Sequence, residues 1–316
     1  MKCRICGNGK GNIFYSVKEM MYGSDERFQY MECGSCRCLQ IENIPENIAL
    51  YYSDNYYSFS SFNESKFEGL YGDFKLRKYQ SSLNHKGILN KISQFLFNEH
   101  RYDLFSQLNL NNDARILDVG TGNGEFLYPL YQLGFKNILG IDPYLKEDIT
   151  YANGLKIEKK NIFEISTRWD VITYNHSFEH LDAPQREINR ITDMLNNNGV
   201  CIINIPTVSS YAWRKYRTFW YQIDAPRHFY LHSQKSMQII AQNAGLKIKS
   251  IHYNSIYTQF YYSELNQQGV AMRDRPRQKG LKKLKWKYQK WKYNYLAKLL
   301  NKKLMGDQLA FVLTKA

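Results

Sequence analysis

The 316-residue chain lacks any run of 18 consecutive apolar residues, although 43% of it is hydrophobic. The absence excludes a membrane-spanning helix. The apolar content is ample for a core, and the length allows one large domain with a smaller one. The start, Met1-Lys-Cys-Arg-Ile-Cys6, has no apolar h-region, so no secretory leader is expected and the chain is predicted to be cytoplasmic. In a reducing compartment its six cysteines are expected to bind metal rather than to pair. Internal repeats and low-complexity tracts are lacking, apart from one basic stretch. Acids are nearly missing there: residues 266–305 hold 13 Lys or Arg against Asp274 alone, and so carry +12 of the net +14. The rest of the chain is close to neutral, so no basic face is spread over the molecule as nucleic-acid binding would favour.

What is present begins with Arg115-Ile-Leu-Asp-Val-Gly-Thr-Gly-Asn-Gly-Glu125. Ile116–Val119 reads as a buried parallel strand, followed by Gly120, Gly122 and Gly124 and then an amphipathic stretch near 124–133. Strand, glycine loop and helix make a nucleotide-type cofactor site. A dinucleotide fingerprint wants Gly or Ala at 125, where Glu stands. GxGxG preceded by an acid, Asp118, is instead the S-adenosylmethionine (SAM) pattern. Glycines let the backbone approach a cofactor with no Cβ in the way.

A second apolar run, Asn137-Ile-Leu-Gly-Ile-Asp142, ends in an acid suited to both ribose hydroxyls. The competing role for Asp142 is an N-cap for a segment near Lys146. Pro143 and Tyr144 are placed to flank adenine, and Asn161 and Ile162 fall where further adenine contacts are expected. Further strands are expected at Trp169–His176 and Gly199–Pro206, with a helix near 184–196. Alternating strands and helices predict a parallel sheet covered on both faces.

Cys3-x-x-Cys6 and Cys33-x-x-Cys36 have the spacing of two knuckles of a structural zinc site. A β-hairpin near 12–32 would close the long gap between them. Cys38 is an extra thiol, spare or substitute, and Cys201 reads as a buried small hydrophobe. His176-Ser-Phe-Glu-His180 matches the inverted zinc-protease signature. That signature needs both histidines on one helix face, whereas His176 is expected to end a strand, so a protease is set aside.

With Tyr51-Tyr-Ser-Asp-Asn-Tyr-Tyr57, Phe178-Glu-His-Leu-Asp-Ala-Pro184 and Asp224-Ala-Pro-Arg-His228 added to the cysteine pairs and the glycine loop, the chain resembles a class I SAM-dependent methyltransferase. More narrowly, it resembles the zinc-containing methyltransferases of bacterial sugar and surface-polysaccharide pathways. The resemblance implies a Rossmann-like, seven-stranded, mostly parallel α/β sheet. It adds a small zinc-ribbon module and a basic helical insertion before an antiparallel last strand, Asp307–Thr314. The expected divisions are a zinc module at 1–45, an aromatic lid and linking helix at 46–110, a SAM domain at 111–265 and 306–316, and the insertion at 266–305. The lid is expected from eight Tyr and Phe beyond the Tyr51-Tyr52 pair within 51–79, and the linking helix is placed at about 85–108.

The resemblance also implies methyl transfer to a hydroxyl or carbon of a sugar or glycan, nucleotide-linked or lipid-linked. A histidine at the position of His228 faces the acceptor in sugar-acting relatives, which makes it the first candidate for general base. His176 is second, placed with Asn175 near the methionine end of SAM. Asp224 is expected to orient His228 and Arg227 to grip a phosphate or carboxylate, the competing reading being an ordinary loop ion pair between the two; Tyr57 is expected to touch the substrate. Two alternatives stand beside this reading. An RNA methyltransferase also carries zinc modules, but Asn175-His-Ser-Phe replaces the Asn/Asp-Pro-Pro-Tyr motif of amino-group methylation. A non-catalytic SAM- or glycan-binding protein is argued against by the intact glycine loop and ribose acid.

Finally, Leu281, Leu284, Tyr288, Trp291, Tyr295 and Leu299 recur at three and four, one apolar stripe in a lysine-rich field. Such a helix at 280–304 fits the inner face of an anionic membrane or a lipid-linked glycan. It also fits a solvated helix whose stripe packs on the domain. Nucleic acid is not the expected partner.

Overall fold

A computed structural model describes residues 1–52, 62–83, 100–275 and 279–316, apart from the side chain of Leu281. The expected linking helix at 85–108 lies mostly outside these residues, as does Tyr57; Asp103–Gln107 is its described end. Two compact units are present. The cysteine–histidine unit comprises the described part of Met1–Ser53, with Tyr174–Asp193 and Val200–Ala316. The glycine-loop unit comprises the described part of Asp54–Thr173, with Met194–Gly199. These units do not follow the divisions expected from sequence, because the N-terminal hairpin shares a sheet with residues near 230.

That sheet starts with the expected hairpin, β1 (Ile13–Lys18) against β2 (Arg27–Glu32), antiparallel from Ile13 opposite Glu32 to Lys18 opposite Arg27. β3 (Leu39–Ile41) pairs with β2 on its other side.

The glycine-loop unit holds β4 (Ile116–Val119), β5 (Ile138–Ile141), the short β6 (Ile149–Thr150), β7 (Lys156–Glu158) and β8 (Trp169–Asn175), which runs on into the other unit. Its order is β6-β7-β5-β4-β8. All pairings are parallel except β6 on β7. Every residue of β4 is buried, as its unbroken apolar run demands of a central parallel strand. Ile116 and Leu117 are fully inaccessible, and each such side chain contributes about 1.5–3 kcal/mol of burial.

In the first unit, Val200–Pro206 of β9 (Leu195–Pro206) pairs antiparallel with the last strand, and β10 (Tyr230–Leu231) pairs antiparallel with β3. β11 (Leu246–Tyr253) and β12 (Gln308–Lys315) complete the order β9-β12-β11. The last strand is antiparallel, as expected. The strand count departs from the expected seven: five strands lie in one unit and three in this set, because residues 149–150 fold back on β7 as an extra edge.

The basic stretch forms a 23-residue helix, Gly280–Lys302. It docks by Tyr293, Leu296, Ala297 and Leu300 on the core of the cysteine–histidine unit. Asn294 and Asn301 anchor it through Tyr257 N–H and Ser255 C=O, each at 3.0 Å. No helix among the described residues is long and apolar enough to cross a membrane.

Candidate functional site

The glycine loop is held by its own backbone. Gly120, Gly122 and Gly124 have φ of 70°, 57° and 75°, a region that side chains rarely adopt. A Cβ on Gly124 would also come within 2.6 Å of Ile157 Cδ1. Gly120 N–H donates to Ile141 C=O at 2.8 Å, tying the loop to the end of β5. Asp118, buried at the end of β4, accepts from the hydroxyls of Thr121 at 2.7 Å and Thr173 at 2.6 Å. Asp118 therefore acts on the loop through Thr121.

Asp142 follows β5 and is buried. One carboxylate oxygen accepts from Gly122 N–H at 3.0 Å and the other from Tyr144 N–H at 2.9 Å. It caps a turn, and no helix starts at Lys146. Pro143 and Tyr144 are exposed beside it. Asn161 caps the short 3-10 turn Ile162–Glu164, accepting from Phe163 N–H at 2.9 Å, and Ile162 is buried. The cofactor candidates Gly120, Gly122, Asp118 and Asp142 thus form one connected cradle. Asn161 is occupied by its cap, an outcome its Asn-x-x-Glu164 spacing announces.

A second cluster belongs to the cysteine–histidine unit. After Asn175, the backbone of His176 turns at φ 56°, unusual for a residue with a Cβ and of the kind that collects at functional sites. A 3-10 turn, Phe178–His180, follows, so His176 and His180 do not share a helix face and the protease arrangement is absent. Glu179 is fully buried, and neither carboxylate oxygen has a hydrogen-bond partner among the described residues. Its neighbours are imidazoles: His176 Nδ1 at 3.6 Å and His228 Nε2 at 3.9 Å from Oε1. Burial works to raise its pKa, but His176 and then His228 and His180 outweigh it and hold the carboxyl at about 2.

His228 is buried and aimed. Its Nδ1 lies 2.7 Å from Gln222 C=O, so that nitrogen donates and Nε2 carries the lone pair. Asp224 Oδ2 is 3.8 Å from Nε2, too far for a hydrogen bond. Burial, then the neighbouring His180, pushes the His228 pKa down to about 4 against the pull of Glu179 and Asp224. His228 is therefore neutral at pH 7, with two carboxylates within 4 Å to stabilise the cation once it takes a proton. His180 Nδ1 also meets a backbone carbonyl, that of Arg227 at 2.8 Å, together with Tyr52 Oη at 3.1 Å, and its ring centroid is 4.7 Å from that of His228.

The third cluster is Cys3, Cys6, Cys33 and Cys36, with all four sulfurs within 4.8 Å of one another. Cys3 and Cys36 are 3.6 Å apart and Cys6 and Cys33 3.5 Å, far longer than a disulfide and close to the spacing of roughly 3.8 Å that tetrahedral zinc imposes on four thiolates. Backbone N–H groups of Ile5 and Cys36 point at Cys3 and Cys33 sulfur, each at 3.4 Å. The donor set fits a closed structural zinc site. Cys38 lies outside it, with its sulfur 4.0 Å from His232 Nδ1, and Cys201 is buried within β9 as expected.

Comparison with known proteins decides the family. A model described as methyltransferase domain matches residues 92–251, 160 of the 316 residues. The chain belongs to this family. Among curated relatives, EEF1A lysine methyltransferase 2 of Danio rerio is 45% identical over 56 residues, 17% of this chain and 24% of that protein. The Homo sapiens protein of the same name is also 45% identical over 56 residues, 18% of this chain and 23% of its own. The methyltransferase therefore spans about a quarter of the length of these relatives. Among solved structures, the cyclopropane synthase MmaA2 from Mycobacterium tuberculosis is 14% identical with a TM-score of 0.44, covering 69% of this chain and 84% of that one. The CcbJ methyltransferase from Streptomyces caelestis is 11% identical with a TM-score of 0.40, covering 68% and 89%.

Two expected roles change in the methyltransferase. Arg227 is fully buried. Its guanidinium forks onto Asp224 through Nε and Nη2, with Nε at 2.9 Å, lies 3.6 Å from Glu19 and donates to Tyr51 C=O at 3.2 Å. An arginine engaged on all sides in the interior fastens the loop rather than gripping an anion. Asp224 in turn fastens Arg227, and the Gln222 carbonyl, not Asp224, orients His228.

Two residues escaped the sequence reading. Glu19 is buried and gathers the N–H groups of Met21, Tyr22, Gly23 and Ser24 at 2.7–3.1 Å while facing Arg227. Glu179 appears in the decoy motif and in the Phe178–Pro184 segment without a role of its own, and nothing short of its burial singles it out.

Proposed function

We propose that the methyltransferase moves the SAM methyl to a hydroxyl or an acidic carbon of a sugar or glycan, with His228 as general base. The observation that carries this reading is the neutral, oriented imidazole of His228 beside two carboxylates. In the step, the sulfonium S–CH3 bond breaks as the acceptor atom bonds the methyl, and the acceptor proton passes to Nε2. The electron pair returns to sulfur and leaves S-adenosylhomocysteine. The sulfonium is already activated, so alignment is the main task, and proton removal adds about 10²- to 10⁴-fold. For a carbon next to a carbonyl, the same base forms the enolate before transfer. His176 is second in line, at the strand end beside Asn175.

The glycine cradle with Asp142 is our candidate for the SAM ribose and methionine contacts, with Pro143, Asn161, Ile162 and Asn175 as outer contacts. The four cysteines would hold structural zinc, which supplies rigidity and no chemistry. The sugar acceptor rests on the resemblance of the cysteine pairs and the Asp224–His228 loop to sugar-pathway enzymes. A second reading is protein lysine methylation, favoured by the 56-residue likeness to the EEF1A lysine methyltransferases. The same base would deprotonate an ammonium.

The test is SAM turnover on a panel of nucleotide sugars and lysine peptides, with wild type and His228→Ala. We expect sugar-dependent turnover and a fall of about 10²- to 10⁴-fold in the variant, with SAM affinity intact. Peptide turnover alone would select the second reading, and wild-type turnover in the variant would pass the role to His176.

A further inference from the structure

The helix Gly280–Lys302 is docked by one face and leaves another bare. Its buried row, Tyr293, Leu296, Ala297 and Leu300, packs on the core. On the opposite side Leu284, Tyr288, Trp291 and Tyr295 are 62%, 65%, 64% and 55% exposed. The stripe expected to pack on the domain therefore faces outward. Its rings lie flat in a continuous row: Tyr288 on Trp291 at 6.1 Å and 26°, Trp291 on Tyr295 at 6.3 Å and 14°. Three adjacent, outward aromatic rings on one helix are apolar surface that water does not favour.

The charges around the stripe are of one sign. At 100° per residue Lys287 and Lys298 flank it on one side and Lys285 and Lys292 on the other, all exposed. The helix carries no acid along its 23 residues.

We propose that this face seats the enzyme on an anionic lipid surface, with the helix lying in the plane of the interface. Tyr and Trp rings enter at headgroup depth, and Leu284 and Leu299 reach the acyl boundary. The flanking lysines extend their ammonium groups to lipid phosphates. The choice of lipid over nucleic acid follows from the same row. Aliphatic side chains at both of its ends offer a base nothing to stack on, and the rings already stack along the helix rather than standing apart to admit bases between them. The inference is independent of which acceptor the enzyme uses.

The protein, expressed with zinc, is mixed with phosphatidylcholine vesicles, with and without about a quarter phosphatidylglycerol. Sedimentation and tryptophan emission are read together. Trp169, Trp213 and Trp220 are buried and Trp286 is half-buried on the helix's other side, so a blue shift on vesicle addition reports chiefly on the exposed Trp291. We expect retention by anionic vesicles only, a blue shift, and a severalfold loss of binding on raising salt. The triple variant Tyr288→Ser, Trp291→Ser, Tyr295→Ser removes only exposed rings. It should weaken partitioning on the order of 100-fold while SAM binding stays unchanged. Equal binding of the wild type to neutral and anionic vesicles would overturn the proposal. So would unchanged binding by the triple variant, or retention of polyuridylate in a gel shift with none on vesicles.

Discussion

The glycine loop and the histidine loop each hold a titratable side chain in place, but the partners come from different distances along the chain. Gly120, Gly122, Thr121 and Asp142 are fixed by one another and by Asp118 and Ile141, all within a short strand–loop–strand passage. The histidine loop is fixed from far away. Tyr30 Oη donates to His228 C=O at 2.9 Å, 198 residues distant. Glu19 and Tyr51 meet Arg227, Phe229 N–H donates to Glu179 C=O at 2.9 Å, and β3 pairs with β10. The glycine loop thus depends on its own neighbourhood, whereas His228 depends on the cysteine hairpin beside it.

The sharpest way to break this comparison is to remove the zinc proposed for the four cysteines. Apparent binding energies of structural zinc are about 10–16 kcal/mol, more than most domains hold in reserve. Chelation, or Cys33→Ser, should release the hairpin and with it Glu19, Tyr30 and the whole 224–228 loop. Turnover should fall at least about 100-fold while SAM affinity stays within about twofold. Titration calorimetry with SAM and an endpoint assay, run beside metal analysis, read both. Turnover that survives loss of the metal would show that the hairpin is not what holds His228.

The opposite lesion comes next in size. Asp142→Ala removes the acceptor for Gly122 and Tyr144 N–H, together with the proposed ribose contacts. SAM affinity should drop about 10- to 100-fold, with turnover at saturating SAM changed far less. Calorimetry checks it, and unchanged affinity would take Asp142 out of the cofactor site.

The same contrast explains what the sequence could reveal. A glycine loop is a local grammar: a strand, three glycines and an acid at fixed offsets, each needed because of its own backbone or its own reach. Four cysteines at fixed spacing are legible for the same reason. The histidine site is not local. Asp224 looked like the orienting acid because it is near His228 in sequence, yet a carbonyl two residues earlier does that work. For Arg227 the competing reading, a loop ion pair with Asp224, is the one the fold supports, and the part that sequence could not show is Glu19, 208 residues away. The basic helix shows a third case. Its outward stripe was visible at the helical period. The row that finds the core, Tyr293, Leu296, Ala297 and Leu300, went unread, and period alone does not say which face of a helix finds a core.

The finest test of the comparison is the pH profile. A base acts in its unprotonated form, so activity falls as pH drops through its pKa. Burial holds His228 at about 4, well below the usual 6.5, and the neutral form persists far into acid. kcat/KM should therefore vary by less than about twofold between pH 8 and pH 5.5, where an ordinary imidazole would lose about tenfold. Arg227→Lys keeps the charge but loses the fork onto Asp224, and so loosens the loop without deleting any group near Nε2. Water entering there relieves the desolvation that lowers the pKa, and the acid limb should move up toward pH 6.5 while SAM affinity stays put. A wild-type limb already near 6.5 would mean that the loop is open in solution. A limb that stays low in Arg227→Lys would mean that His228 owes its environment to something other than the Glu19–Arg227–Asp224 chain.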